Sequence, residues 1–220
     1  MVQAEFAIIG GGISGLSTAL ALQRKGFRAE VYEQASGMNA PDTGIVLCGN
    51  AVRAFYILGL GPKLLEYGLA SDICQLKSHS GELIAEFNYD APTHIPNYLF
   101  IQRSVLHTLL ADALLPGSLH FNKLLIDLKQ DQHKIHVSFQ DGSQAVSDFV
   151  IGCDGADSRI RSQYMPDGKL HYTGYVCWRG IVEAPSIEPI MYSETWGPRG
   201  RFGIAPMPGN RLYWYVFKKS

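Results

Sequence analysis

The chain of 220 residues is 46% hydrophobic, 18% charged and 11% aromatic, with 19 basic against 20 acidic side chains and a net charge of -1. That apolar content excludes a disordered chain, and the length suffices to bury roughly 70% of the unfolded surface without disulfide or metal staples. The charge balance carries no electrostatic footprint for nucleic acid or an anionic membrane.

Residues 4–9 form an apolar run that ends at Gly10-Gly11-Gly12, which predicts a buried strand. From 13 to 25 the pattern turns helical, with Leu16 and Leu20 one turn apart, Ala19 beside them and Gly26 as the stop. Residues 28–33 read as a second strand, so the chain opens with strand, helix and strand. Residues 44–47 predict a short extended segment. Asn50 is the candidate cap of a helix through 58, and Pro62 opens another that Gly68 ends. Residues 72–78 and 83–88, joined around Ser80-Gly81, predict a hairpin, and 91–97 a loop. Ser104 is placed to cap an apolar helix over 105–115, closed by Pro116-Gly117. Strands are expected over 124–129, 134–139 and 149–153, with a turn at Asp141-Gly142 and a short helix from Ser158. The remainder is β-rich: 172–183, 190–196, 201–206 and 212–217. This order predicts an α/β fold, a parallel nucleotide-binding layer with an antiparallel sheet partly inserted into it.

The longest charge-free stretch, 6–22, is interrupted by three glycines and preceded by Glu5 where a leader needs a basic residue, so it reads as part of a soluble fold. Cys48, Cys74, Cys153 and Cys177 are too scattered for a disulfide framework or a zinc site, which favours reduced thiols in a cytoplasmic setting. His133 and His136 stand three apart on a predicted strand and so face opposite sides; no metal site is expected.

The strongest motif is Gly10-x-Gly12-x-x-Gly15, which follows a strand, opens a helix, and is followed by Glu33 at the end of a second strand, 18 residues past Gly15. Each part has a reason. Gly10 allows the tight turn, Gly12 lets a pyrophosphate approach the backbone, and Gly15 lets helix and strand pack closely. The free N–H groups at the helix start, around Ile13 and Ser14, suit phosphate, and Glu33 suits ribose hydroxyls. No Gly-Lys-Ser/Thr follows, which excludes an ATP P-loop. The fingerprint serves NAD(P) and FAD alike. A second cluster, Gly152-Cys153-Asp154-Gly155-Ala156-Asp157-Ser158-Arg159-Ile160-Arg161, sits at a strand-to-helix corner. It offers a carboxylate, bare backbone and two guanidinium groups that suit phosphate, or equally a capped turn with a solvated basic helix.

These residues carry a resemblance. The chain is similar to the N-terminal part of the FAD-dependent (group A) flavoprotein monooxygenases, the aromatic-ring hydroxylase family. Gly10–Gly15 with Glu33 resembles the family's FAD fingerprint, and the Asp154-Gly155 cluster its Asp-Gly motif, taken to serve FAD and NAD(P)H. Arg103 in Gln102-Arg103-Ser104-Val105-Leu106 matches an arginine at the ribityl–pyrophosphate region. Tyr172-Thr173-Gly174-Tyr175-Val176-Cys177-Trp178-Arg179-Gly180 resembles the first strand of the substrate sheet. The resemblance implies a Rossmann-like FAD-binding layer of the glutathione-reductase type over 1–70 and 99–168, with an interleaved antiparallel β-sheet substrate domain over 71–98 and 169–220. It further implies FAD contacts at Gly10, Gly12, Ile13, Ser14, Gly15, Glu33, Gln34, Gly44, Ile45, Arg103, Leu125, Asp154 and Gly155.

The family's third motif, a Gly-Asp that holds the ribityl chain, has no counterpart, because no Gly-Asp dipeptide occurs in the chain. A C-terminally truncated enzyme is therefore expected. The activity implied is NAD(P)H-dependent hydroxylation, with O2, of an aromatic or similarly electron-rich small molecule through a C4a-hydroperoxyflavin, by a monomer or homodimer. Such chemistry needs exclusion of water and a moving ring more than a fixed acid–base pair, so no catalytic side chain is assigned. Tyr175 and Arg179 share one strand face as candidate substrate contacts, with Trp178 on the other, while Trp196, Phe202, Trp214 and Tyr215 read as core. Two alternatives stand beside this: a nucleotide-binding module without oxygenation, and a related flavin reductase or halogenase. The halogenase Trp-x-Trp-x-Ile signature is not matched by Tyr213-Trp214-Tyr215.

Overall fold

In the computed structural model, which describes residues 2–38, 43–88, 95–165, 170–185 and 191–220, the opening run forms β1 (Val2–Ile9). Gly10 follows at φ +107°, a conformation that costs any residue with a Cβ, and the chain turns straight into α1 (Ile13–Arg24). Leu16, Ala19 and Leu20 are buried along one stripe of α1, and β2 (Ala29–Tyr32) returns parallel to β1. The opening strand–helix–strand unit is as the apolar spacing predicts.

Two compact units follow from packing: Met1–Asn39 with His107–His171, and Ala40–Leu106 with Tyr172–Ser220. The first holds β1, α1, β2, the C-terminal part of α4 (Arg103–Asp112), β8 (Leu119–His120), β9 (Leu125–Gln130), β10 (Ile135–Phe139), β11 (Gln144–Gly152) and α5 (Arg159–Tyr164). Its sheet runs β8-β2-β1-β11-β10-β9, with the first four strands parallel and β10 and β9 antiparallel. The expected parallel layer is therefore extended by an antiparallel pair. One core beneath it gathers Ala7, Ile9, Tyr32, Leu125, Leu128, Val137, Phe139 and Ala145.

The second unit holds β3 (Gly44–Cys48), α2 (Gly49–Ile57), α3 (Gly61–Tyr67), β4 (Leu69–Ser71), β5 (Ile73–Ser78), β6 (Leu83–Asn88), β7 (Tyr98–Gln102), β12 (Tyr175–Glu183), β13 (Ser193–Gly197), β14 (Gly200–Met207) and β15 (Arg211–Lys219). One sheet is β3-β7-β4. The other is β12-β15-β14-β13-β5-β6, antiparallel except for the parallel β13/β5 pair. Phe100, Ala205, Met207 and Tyr213 form a core in this unit.

Four details differ from the sequence reading. β4, β7 and β8 were not anticipated. β11 starts at Gln144 rather than 149, because its first residues alternate weakly. The N-cap of α2 is Cys48 rather than Asn50, and its side chain makes no capping bond. α4 begins at Arg103, one residue before the expected cap Ser104. The loop read at 91–97 falls largely, and Ile190 wholly, outside the described residues. The functional division drawn from the sequence groups 40–70 and 99–106 with the first unit. Packing groups them with the second, because β3, β7 and β4 pair with one another.

Candidate functional site

The glycine loop of the first unit is built by mutual exclusion. A Cβ on Gly15 would overlap the Gly10 carbonyl oxygen, and one on Gly10 would fall 2.6 Å from the Cys153 carbonyl carbon. Loop, helix and the end of β11 therefore approach through bare backbone. Gly12 is different. It is the N-cap of α1 in an extended conformation, and a Cβ there would meet nothing within 4 Å. The orphan N–H groups at this helix start thus border open space, where an anion is favoured.

Glu33 holds the loop from the side. Its Oε2 accepts from the Gly11 N–H at 2.6 Å and its Oε1 from the Ala35 N–H at 2.8 Å. Each carboxylate oxygen keeps a further lone pair for a hydroxyl donor. A second clamp was missed by the sequence reading. His107, on α4, places Nε2 2.5 Å from the Gly11 carbonyl oxygen. The sequence shows only a polar residue beside the buried stripe Leu106, Leu109 and Leu110, with nothing that names its partner.

The Asp-Gly corner takes the capped-turn form. Asp154 Oδ1 accepts from Ser158 Oγ at 2.6 Å, and Oδ2 from the N–H groups of Arg159 at 2.8 Å and Ile160 at 3.2 Å. Ser158 in turn accepts from the Arg161 N–H at 2.9 Å, so α5 starts on a two-residue cap. Both arginines are engaged by carbonyls rather than left free. Arg159 donates to Leu125 at 3.2 Å, and Arg161 to Gly155 at 3.4 Å and to Ala156.

Loop and corner together border a cavity of about 530 Å³, lined among others by Gly10, Gly12, Glu33, Gln34, Leu125, Asp154 and Gly155. Seven expected cofactor residues thus converge. Ile13 and Ser14 stand in the first turn of α1 beside it. Tyr32 and Cys153 also line it, and burial pushes both up from their ordinary values. An adenine dinucleotide fits this lining: open backbone N–H groups for phosphate, a carboxylate for ribose and an apolar wall at Leu125.

Gly15, also expected to touch the cofactor, packs on the Gly10 carbonyl and is not part of this lining; the other expected residues lie in the second unit. Gly44, Ile45, Arg103 and Arg179 line a cavity of about 260 Å³ with Tyr192, Glu194, Arg201, Tyr213 and Tyr215. Two of its tyrosines lie on glycine backbone: a Cβ on Gly44 would stand 2.6 Å from Tyr213 Cβ, and one on Gly203 would enter the Tyr215 ring. Arg201 pairs with Glu194 at 3.2 Å and lies 4.7 Å from the Phe217 ring centre. Arg103 and Arg179 have no carboxylate partner among the described residues. Tyr175 lines a different cavity, of about 600 Å³, with Trp196, Arg199 and Phe217. The expected pair Tyr175 and Arg179 therefore shares a strand but not a cavity.

One further expectation is corrected. Trp196 and Phe202 are 49% and 42% exposed and so are not core residues, whereas Tyr215 packs against the core of this unit and also borders the cavity with Arg179. A strand's alternation tells its two faces apart but not which one is covered. His136 Nε2 lies 2.8 Å from Asp131. Among the described residues no group of three or more His, Cys, Asp or Glu could hold a metal ion, and no helix is long and apolar enough to cross a membrane.

Residues 3–184 match the family model of an FAD binding domain, and the chain belongs to that family. Among curated relatives, it is 32% identical over 185 residues to the 6-hydroxynicotinate 3-monooxygenase of Bordetella bronchiseptica, covering 82% of this chain and 48% of that protein. It is 28% identical over 213 residues to the aurachin C monooxygenase/isomerase of Stigmatella aurantiaca, covering 95% and 55%. Among solved structures, Klebsiella pneumoniae HpxO complexed with FAD and uric acid superposes with a TM-score of 0.80 at 26% identity, covering 97% of this chain and 56% of that one. The chain spans about half the length of the curated relatives it matches.

Proposed function

We propose that the protein is the FAD-binding portion of an NAD(P)H-dependent monooxygenase that hydroxylates an aromatic or similarly electron-rich small molecule. The observation that carries this reading is the convergence of Gly10, Gly12, Glu33, Leu125, Asp154 and Gly155 on one cavity at the start of α1. Family membership and relatives whose names read hydroxylase or monooxygenase support it. FAD supplies the redox chemistry, hydride acceptance from NAD(P)H and activation of O2.

The residues of this chain bind and orient. The Gly12 N–H and the first turn, Ile13 and Ser14, would receive the pyrophosphate, and Glu33 the ribose. Gln34 and Leu125 would border the nucleoside. On the family resemblance, Gly44, Ile45 and Arg103 are further candidate FAD contacts, and Arg179 would receive a polar or anionic substituent of the substrate. The cavity bearing Arg179 has aromatic walls at Tyr192, Tyr213 and Tyr215, which suits a flat ring. The scattered cysteines support a cytoplasmic setting. The protein mixed with FAD and gel-filtered should emerge yellow, and ring substrates should speed its oxidation of NAD(P)H. Failure to retain FAD, together with failure to bind ADP in calorimetry, would overturn the reading.

A further inference from the structure

We infer that His107 is the positioning residue of the phosphate-binding loop, acting through the peptide between Gly11 and Gly12; this rests on the nucleotide reading of that loop. The carbonyl of Gly11 can only accept, so His107 Nε2 carries the proton in the 2.5 Å contact. A trans peptide is planar, and its C=O and N–H point in opposite directions. Drawing the Gly11 carbonyl toward α4 therefore aims the Gly12 N–H away from α4. Gly12 is the N-cap of α1, where a Cβ would meet only open space. The preceding peptide is held independently, by the Gly11 N–H donating to Glu33 at 2.6 Å. The two peptides flanking Gly11 are thus both fixed from outside the loop before any ligand arrives. Three consecutive glycines without these clamps would sample many orientations, at an entropic cost on binding.

The second ring nitrogen supports a dedicated role. His107 Nδ1 is buried and has no hydrogen-bond partner. A leucine would fill the site without an orphaned polar atom, so packing alone does not account for histidine there. Every bond of His107 to the loop runs through one atom, and that atom sets the direction of a ligand-facing N–H.

The test compares His107→Leu, which removes the donor, with His107→Gln, whose amide N–H reaches a similar point. Calorimetry on the chain with ADP, and then with FAD, is paired with thermal melts of the unliganded protein. The Leu variant is expected to weaken ADP binding by about three- to tenfold, the worth of one hydrogen bond, while Gln restores most of it. The unliganded melts should not follow that order. Leu binding ADP as tightly as wild type, or Gln and Leu losing affinity equally, overturns the positioning role and leaves the nucleotide site standing. Wild-type protein binding neither ADP nor FAD overturns the site itself, and this inference with it.

Discussion

Gly12 and Gly15 are three residues apart in the same motif, yet their surroundings assign them different work. Gly15 faces the Gly10 carbonyl and has Cys153 Cβ 3.4 Å from where its own Cβ would stand, so an alanine must push helix and strand apart. Gly15→Ala is expected to cost about 1–3 kcal/mol of stability and to melt measurably lower without any ligand. Gly12→Ala meets nothing in the protein and should cost no more than about 0.5 kcal/mol, while its methyl group intrudes on the space beside the first turn of α1. Thermal melts and ADP calorimetry on both variants separate the two: Gly12→Ala should lose affinity at nearly constant stability. Equal melting losses would show that the two glycines serve packing alike. The spacing made both glycines legible in the sequence, as it did Glu33 and Asp154. The clamp at His107 was not legible, because it joins residues 96 apart, and only the folded α4 places one beside the other.

Elements differ in how much of their own position they encode. α1 was readable because a capless start at glycine, a buried stripe and a terminal Gly26 agree. β7 was not. Tyr98–Gln102 is a short apolar run without alternation, and its character comes from lying between β3 and β4, not from its own period. β8, two residues long, exists only as an edge to β2. α5 is the opposite case, a six-residue helix too short to be stable from propensity alone and held by its start. Asp154 accepts two backbone N–H groups and the Ser158 hydroxyl there. Asp154→Ala should therefore cost about 1 kcal/mol, lowering the melting temperature by roughly 2–4 °C, and should loosen the corner that lines the cavity beside Gly12 and Glu33. Hydrogen exchange at the Arg159 and Ile160 amides is the direct reading. Unchanged protection there would show that the cap does not hold the helix.

At the scale of the whole molecule, the buried tyrosines set an alkaline limit that composition alone does not reveal, since 11 tyrosines can lie anywhere. Tyr32 in the first unit, and Tyr192, Tyr213 and Tyr215 in the second, are all pushed up, in each case chiefly by burial. For Tyr215 the rise is from 10.0 to about 12. The sign follows from which state holds the proton. Below the unfolded value every phenol is neutral in both states, and the stability these residues contribute is fully present. Above it the unfolded chain ionises while the folded protein keeps Tyr215 neutral, so unfolding is favoured progressively until the folded value is reached. Stability should stay level to about pH 10 and fall as pH rises toward about 12. Tyr215→Phe removes one of the protons involved and the 3.4 Å contact with the Tyr192 hydroxyl, so the variant should start less stable at neutral pH and decline less steeply above pH 10. Denaturant melts across that range, with phenolate absorbance followed in parallel, measure both slopes. Identical slopes for wild type and variant would mean that Tyr215 ionises as freely in the folded sheet as in the unfolded chain, against its place between Tyr192 and the backbone of Gly203.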